Sequence, residues 1–338
     1  MEKHSKALSK LLKEPVEFVE DIYGEKAQQA IQQLKPGCFL MLDNVRKYPE
    51  ETKKASAEEH AQTPFIKTLS NLADVFVNDA FAAAHRSQCS LVGFTATLPS
   101  CAGRLMEKEL HTLEHIIKNP EHPSVFLFGG AKYSDVIVTV ERVLQQKTAD
   151  IVLLTGLPAN AFIKAQGVKL GKTNEEILMK EAKPELFADI KQVLNQYKDA
   201  IYLPVDFAIE DQKQRKEISI DDLPVDQPLY DIGEKTINKF KELLEKAHTV
   251  FLSGPCGVFE NPLFKKGTTE IFNTVATSNA FSIVGGGHTI AAVEQLGLKE
   301  NMSHISSGGG SLEKFMMGEP LVVVEALKKA KQQFIIKA

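Results

Sequence analysis

At 338 residues, with 43% apolar and 25% charged side chains, the chain exceeds what one hydrophobic core ordinarily serves, so two domains are expected and wholesale disorder is excluded. A net charge of −4 leaves no electrostatic footprint for nucleic acid, and no run reaches the roughly 18 apolar residues of a membrane span. Cys38, Cys89, Cys101 and Cys256 form no CxxC pair and no zinc spacing, and Met1-Glu2-Lys3-His4 does not open a signal peptide. A reduced, cytoplasmic protein is therefore expected, with thiols serving as small apolar filler.

In chain order, short β-branched and aromatic runs at 16–19, 39–42 and 75–77 read as strands, followed by 125–128, 151–154, 201–203, 250–252 and 281–284. Most are continuous rather than alternating apolar runs, which suits strands covered on both faces. Helical patterns at 24–34, 133–144 and 236–247 lie between them. Strand alternating with helix predicts parallel sheets flanked by helices, with ligands at the carboxyl ends of the strands. The mixed-sign stretch from Glu50 to His60 reads as a solvated face. A helix is expected over 104–118, with Met106, Leu110, Leu113 and Ile117 on one face, and Pro120 and Pro123 stop it. It marks the connection between two domains.

Glycines fall where the strands end: Gly129-Gly130, Gly156, Gly254, and above all Gly285-Gly286-Gly287-His288-Thr289. Twenty residues on, Gly308-Gly309-Gly310 repeats the device before a second helical pattern. Glycine lets backbone N–H groups approach an anion, and a helix N-terminus behind them adds positive dipole. Two such turns suggest a nucleotide with several phosphates, although each also serves as ordinary strand-to-helix turn chemistry. No GxxxxGK[ST] occurs, and no GxGxxG follows the first strand, which disfavours a P-loop and a nicotinamide dehydrogenase.

The segments Leu42-Asp43-Asn44-Val45-Arg46, Val77-Asn78-Asp79-Ala80-Phe81, Ala84-His85-Arg86 and Pro99-Ser100-Cys101-Ala102-Gly103 make the site more specific. Gly129-Gly130-Ala131-Lys132, Leu203-Pro204-Val205-Asp206, Asp231-Ile232-Gly233 and Ser253 through Glu260 follow in order, then the two glycine runs. In this arrangement the chain resembles phosphoglycerate kinase over essentially its whole length, and His288 after the first triplet resembles the archaeal branch.

The resemblance implies an α/β protein of two parallel-sheet, Rossmann-like domains with a cleft between them. Its boundaries would be a phosphoglycerate-binding domain at 1–103, a connecting helix at 104–121, a nucleotide-binding domain at 122–310, and a segment at 311–338 returning to the first domain. It implies reversible phosphoryl transfer between 1,3-bisphosphoglycerate with ADP and 3-phosphoglycerate with ATP, with Mg²⁺ on the nucleotide and neither nucleic acid nor membrane as partner. The metal ligands and the oligomeric state stay open.

Carried over by motif, Arg46, His85 and Arg86 would hold phosphoglycerate, and Arg46 and Lys132 would act in catalysis. A guanidinium fork suits an oxyanion pair, although a lone Arg at a strand end also serves as a surface ion pair. His85 serves equally as a packing or orienting group, Lys132 as a solvated helix-start lysine, and Glu260 as a helix-initiating acid before Pro262. Gly130, Ala131, Lys132, Gly233, Glu260, Gly285, Gly286, Gly287, His288 and Thr289 would bind the nucleotide, with Glu260 on the ribose. Three positions depart from the pattern. Val136 stands where many relatives carry a lysine, His288 where they carry an aspartate that assists Mg²⁺, and Ser253 where they carry an asparagine. Asp135 is then a candidate beside phosphate oxygens and water. The resemblance also implies two earlier strand–helix units with loop motifs of the form D-x-N and H-x-G-R-P ahead of the run at 16–19; neither motif occurs, so about 70 residues are expected to be absent ahead of Met1, leaving the first domain incomplete. An inactive truncation or a non-catalytic nucleotide-binding relative is the alternative function.

Overall fold

The protein, in a computed structural model that describes residues 1–180 and 185–335, divides into two compact units. One comprises Met1–Lys108 with Pro320–Ala338, the other Glu109–Glu319.

In the first unit, β1 (Val16–Phe18) pairs in parallel with β2 (Phe39–Met41), and β3 (Phe76–Asn78) with β4 (Ser100–Ala102). The two pairs are separate sheets. The helix Glu25–Gln33 connects β1 to β2, and the Asp21 carboxylate initiates it by accepting from Ile22, Gly24 and Ala27 N–H. A small core of Ile22, Phe65, Ile66, Cys89, Phe94 and Leu98 lies between the elements. Phe65 and Phe94 meet edge to face at 5.7 Å. The last helix, Val322–Ile335, joins this unit through Val323 N–H to Ala84 C=O at 3.0 Å and an ion pair of Lys329 with Glu58. Phe39 and Val77 remain 43% and 54% exposed, so the strands here lack the double cover that their apolar sequence predicts.

The second unit realises that double cover. Six parallel strands run in the order β13-β12-β11-β5-β6-β7. They are β5 (Ser124–Phe128), β6 (Ile151–Leu154), β7 (Ile201–Tyr202), β11 (Thr249–Ser253), β12 (Phe281–Gly285) and β13 (His304–Ile305). Every residue of β5 is buried, and the register sets Phe126 beside Phe251 and Leu127 beside Leu252. Each such side chain contributes about 1.5–3 kcal/mol of burial. The helices Ser134–Gln145, Gly156–Ala165, Glu234–Leu244, Lys266–Thr277 and Gly287–Gln295 add their apolar stripes.

A three-stranded antiparallel sheet, β10-β8-β9, lies outside the parallel expectation. Its strands β8 (Asp206–Asp211) and β9 (Gln214–Ser219) turn at Gln212 and Lys213, both at positive φ as a two-residue hairpin turn requires. Strand β10 (Asp231–Ile232) pairs with β8. Because β9 reads Gln-Arg-Lys-Glu-Ile-Ser, it carries no apolar run to announce it.

The helix Arg104–Lys118 forms over the expected residues, but its buried stripe differs. Met106, Glu109, Leu113 and Ile116 are the buried positions, and Ile117 is only half-buried. A carboxylate therefore occupies a position that hydrophobic periodicity assigns to apolar residues.

Candidate functional site

In the second unit the site is built where β5, β6, β11 and β12 end. Its floor is backbone against backbone. Gly129 N–H donates to Ser253 C=O at 2.7 Å, Gly130 N–H to Pro255 C=O at 2.8 Å, and Leu157 N–H to Gly130 C=O at 2.9 Å. Gly254 has φ +92°, and a Cβ there would stand 2.2 Å from the Gly129 carbonyl oxygen. Only glycine permits three turns to approach this closely. Gly130 is thus a structural member of the floor, its N–H already committed.

At the end of β12 the arrangement is different. Gly286, at φ +88°, is the N-cap of the helix Gly287–Gln295 and supplies no side-chain cap. The N–H groups of the first turn, on Gly287, His288 and Thr289, have no partner within an α-helix, so an anion can accept from them. Gly287 and His288 are exposed, whereas Gly285 and Thr289 are buried. Thr289 has a structural role: its Oγ1 accepts from Gly254 N–H at 2.7 Å and ties this turn to the end of β11.

Lys132 and Ala131, after β5, are exposed, and Tyr133 behind them is fully buried with its hydroxyl donating to Leu178 C=O. Asp135 is exposed in the first turn of the following helix, beside half-buried Val136. Glu260 occupies a turn four residues beyond Cys256, not a helix start, and its Oε1 lies 3.8 Å from His288 Nδ1. Gly233 is buried at the N-cap of Glu234–Leu244. The N–H groups of Lys235 and Thr236 there are already taken by the Asp206 carboxylate, each at 2.8 Å. Asp206 was legible only as part of a motif, and its capping role becomes clear from the fold.

The second glycine run is built unlike the first. Glu109, 1% exposed, accepts from Ser307 N–H at 2.6 Å and from Ser307 Oγ at 2.7 Å, and its other oxygen meets His304 Nε2 at 2.9 Å. Gly308 N–H donates to Ser306 Oγ. Burial works against ionisation of Glu109, but the bonds from His304 and Ser307 outweigh it and hold the carboxyl below its ordinary range. The Ser307 N–H and hydroxyl, next to the second glycine run, are thus turned to an internal carboxylate.

In the first unit, Arg46 lies in the short turn Val45–Lys47 after β2, its N–H capped by Asn44 Oδ1 at 3.0 Å. His85 and Arg86 follow β3 and the turn Phe81–Ala83, with Arg86 Nε 3.2 Å from His85 Nε2. Asn78 shapes that turn by accepting from Ala80 N–H and donating to Leu91 C=O, both at 3.0 Å. Asp79 accepts from Met106 N–H at 2.8 Å. Arg46 and Arg86 are exposed, and neither they nor Lys132 forms an ion pair with a described residue.

Comparison with known proteins gives this geometry a family. Residues 1–319 match the family model described as phosphoglycerate kinase. The chain is 45% identical over 333 residues to a phosphoglycerate kinase of Methanobacterium bryantii, covering 98% of this chain and 81% of the relative. Identity to the Pyrococcus abyssi phosphoglycerate kinase is 43%, over 98% of this chain and 82% of the relative. The crystal structure of phosphoglycerate kinase from Pyrococcus horikoshii OT3 superimposes with a TM-score of 0.90 at 40% identity, over 98% of this chain and 83% of that one. That from Coxiella burnetii gives 0.80 at 31% identity, over 96% of this chain and 80% of that one. These figures do not show that about 70 residues are missing from the start. They do agree on descent: the chain belongs to the phosphoglycerate kinase family.

Proposed function

We propose that the second unit binds the adenine nucleotide and the first binds phosphoglycerate, in the reaction of this family: reversible phosphoryl transfer between 1,3-bisphosphoglycerate with ADP and 3-phosphoglycerate with ATP. The observation that carries the nucleotide half is the open N–H set of Gly287 to Thr289, with exposed Lys132 and Glu260 on neighbouring strand ends. In this reading the helix N-terminus takes the phosphates, Lys132 neutralises charge on the transferring group, and Glu260 takes the ribose hydroxyls. Gly130, Ala131 and Gly233 shape the floor and wall. The exposed Arg46 and Arg86, with His85, take the phosphate and carboxylate of phosphoglycerate. The proposed domains at 1–103 and 122–310 lie within these two units, 104–121 spans the boundary between Lys108 and Glu109, and of 311–338 the part from Pro320 onward belongs to the first.

The acceptor is a carboxylate, ionised at neutral pH, so no general base is required. The protein's task is to orient, to neutralise and to exclude water. Mg²⁺ fits this site as a nucleotide-borne ion. No group of three His, Cys, Asp or Glu side chains able to hold a metal occurs among the described residues, and Mg²⁺ on phosphates needs only one or two protein oxygens. Asp135 would supply one. When bound, the ion offsets phosphate charge.

Calorimetric titration with Mg-ADP tests the nucleotide half, and a coupled assay with 3-phosphoglycerate and ATP tests turnover. Lys132→Ala should cut kcat by about 10²–10³ with ADP affinity little changed. Arg46→Ala and Arg86→Ala should lower kcat/KM for phosphoglycerate. Wild-type turnover by Lys132→Ala would remove it from the reaction, and absence of ADP binding by the folded chain would refute the assignment of the glycine turn.

A further inference from the structure

Between Glu260 and β10, the strand that leads into Gly233, lies a buried ion pair that none of the steps above uses. Arg215 projects from β9 with a side chain 15% exposed, and the Asp231 side chain on β10 is fully buried. Arg215 Nη1 meets Asp231 Oδ2 at 2.7 Å and Leu263 C=O at 3.3 Å, and Nη2 donates to Ile232 C=O at 2.8 Å. Glu217 adds a longer contact at 3.4 Å. One guanidinium thus holds the Asp231 carboxylate, the carbonyl of the next residue Ile232 and the loop beyond Glu260 at once, which suits a planar fork better than a point-like ammonium.

The carboxylate fastens the other side of that loop. Asp231 Oδ2 accepts Gly267 N–H at 2.9 Å, at the start of the helix Lys266–Thr277. Asp231 Oδ1 fits between two glycines. A Cβ at Gly257 would stand 2.6 Å from it, and one at Gly267 2.3 Å. Val258 N–H donates to Tyr230 C=O at 2.8 Å, and the Tyr230 and Phe264 rings pack at 4.7 Å. The segment from Gly257 to Gly267 is therefore pinned to β10 at both ends, with exposed Glu260 near its apex and Phe259 buried beside it. Burial pushes the Asp231 carboxyl up, against the bonds from Gly267 and Arg215.

We propose that Arg215 and Asp231 are positioning residues for the nucleoside end of the site: they fix the Gly257 to Gly267 segment on β10 and thereby set Glu260 for the ribose hydroxyls. The inference rests on the assignment of Glu260 to the ribose. When the fork is cut, the segment loses its tie at Leu263 and the cation that steadies Asp231 against Gly267 N–H, while the phosphate-binding turn, which belongs to β12, keeps its own support in Thr289 and Gly254.

The test is calorimetric titration of the full chain with Mg-ADP and, separately, with Mg-pyrophosphate, which has phosphates but no nucleoside. Arg215→Gln should raise the Kd for ADP about ten- to a hundredfold and leave pyrophosphate binding unchanged. Arg215→Lys, which keeps the charge but lacks the planar fork, should fall between and carries the test if the glutamine variant does not fold. In a Glu260→Gln background the same Arg215 substitutions should cost less than about threefold more, because they act through Glu260. Normal ADP binding by both Arg215 variants, beside a weakened Glu260→Gln, would overturn the clamp and leave the ribose assignment standing. Equal loss of ADP and pyrophosphate, or full additivity in the double variants, would also overturn it. Unchanged ADP binding by Glu260→Gln alone would sink the ribose assignment, and the clamp with it.

Discussion

Gly254 and Gly287 both sit at the proposed nucleotide end of the second unit, yet alanine should affect them in opposite ways. At Gly254, φ is +92° and the new Cβ would stand 2.2 Å from the Gly129 carbonyl oxygen and 2.8 Å from Gly130 N. Left-handed backbone costs about 1–3 kcal/mol in a non-glycine residue, and forcing a methyl against packed neighbours costs a further ~1–3 kcal/mol. Both obstacles are backbone atoms that belong to the floor of hydrogen bonds at Ser253 and Pro255, so no flexible side chain can yield. The total is on the order of 2–6 kcal/mol, or about 4–24 °C in Tm for a unit of this size. At Gly287 nothing lies within 4 Å of the added Cβ and φ needs no glycine, so stability should stay constant or rise by up to ~1 kcal/mol. The same methyl would intrude where a phosphate approaches the helix N-terminus, and ADP affinity should fall about tenfold or more. Differential scanning fluorimetry and ADP titration on the two variants read both quantities. A Gly254→Ala protein that melts with the wild type would refute the rigid floor, and a Gly287→Ala protein that binds ADP normally would refute the open cradle.

Two further expectations concern the supports behind the site. Thr289→Val keeps the shape but removes the acceptor of Gly254 N–H, and should lower the urea-derived stability by about 1–3 kcal/mol; an unchanged midpoint would mean that water replaces the hydroxyl without loss. For Glu109, the folded pKa is depressed, so its stabilisation is complete above the ordinary value of 4.5 and is lost as pH falls through the folded one. Glu109→Gln should therefore be less stable near neutrality and show a flatter decline on acidification. Parallel urea midpoints for both proteins from pH 7 down to about pH 2, with no narrowing of the difference below the ordinary carboxylate range, would contradict that sign.

The second unit was legible in the sequence because its strands are buried on both faces. β5, β6, β11 and β12 each fall within a residue of the apolar runs at 125–128, 151–154, 250–252 and 281–284, and each ends in glycine or, for β6, in Thr155-Gly156. Elements that satisfy themselves with backbone and polar side chains were silent. β4 reads Ser-Cys-Ala, β13 is two residues long, and β9 has Ile218 as its single apolar residue. Motif residues were legible as positions but not as roles. Gly130 and Thr289 stand in the nucleotide motifs, yet their polar groups turn inward to Pro255 and Gly254. Glu109 drew no role from the sequence, because a helix stripe scored by hydrophobicity passes over a carboxylate whose partners, His304 and Ser307, come from the other end of the chain.

These inward-facing groups also explain how the site divides its labour. Every group able to meet a ligand through a side chain — Lys132, Glu260 and His288 — is exposed and lightly held, while the groups directly behind them are buried and hydrogen-bonded. Glu260 and His288 approach one another only to 3.8 Å, with both side chains more than half exposed, so their mutual attraction is screened and weak. A ligand can therefore part them at little cost. The floor of Gly129, Gly254 and Thr289 cannot move without losing backbone hydrogen bonds in three turns, and so it fixes where the open N–H groups of Gly287 and His288 stand before any anion arrives. Preorganisation of this kind places the rigidity in the backbone donors, whose dipoles then need no reorganisation during transfer, and leaves adaptation to the long side chains. Substitutions in the floor should consequently register first as lost stability, and substitutions in the exposed layer as lost affinity or rate with the fold intact.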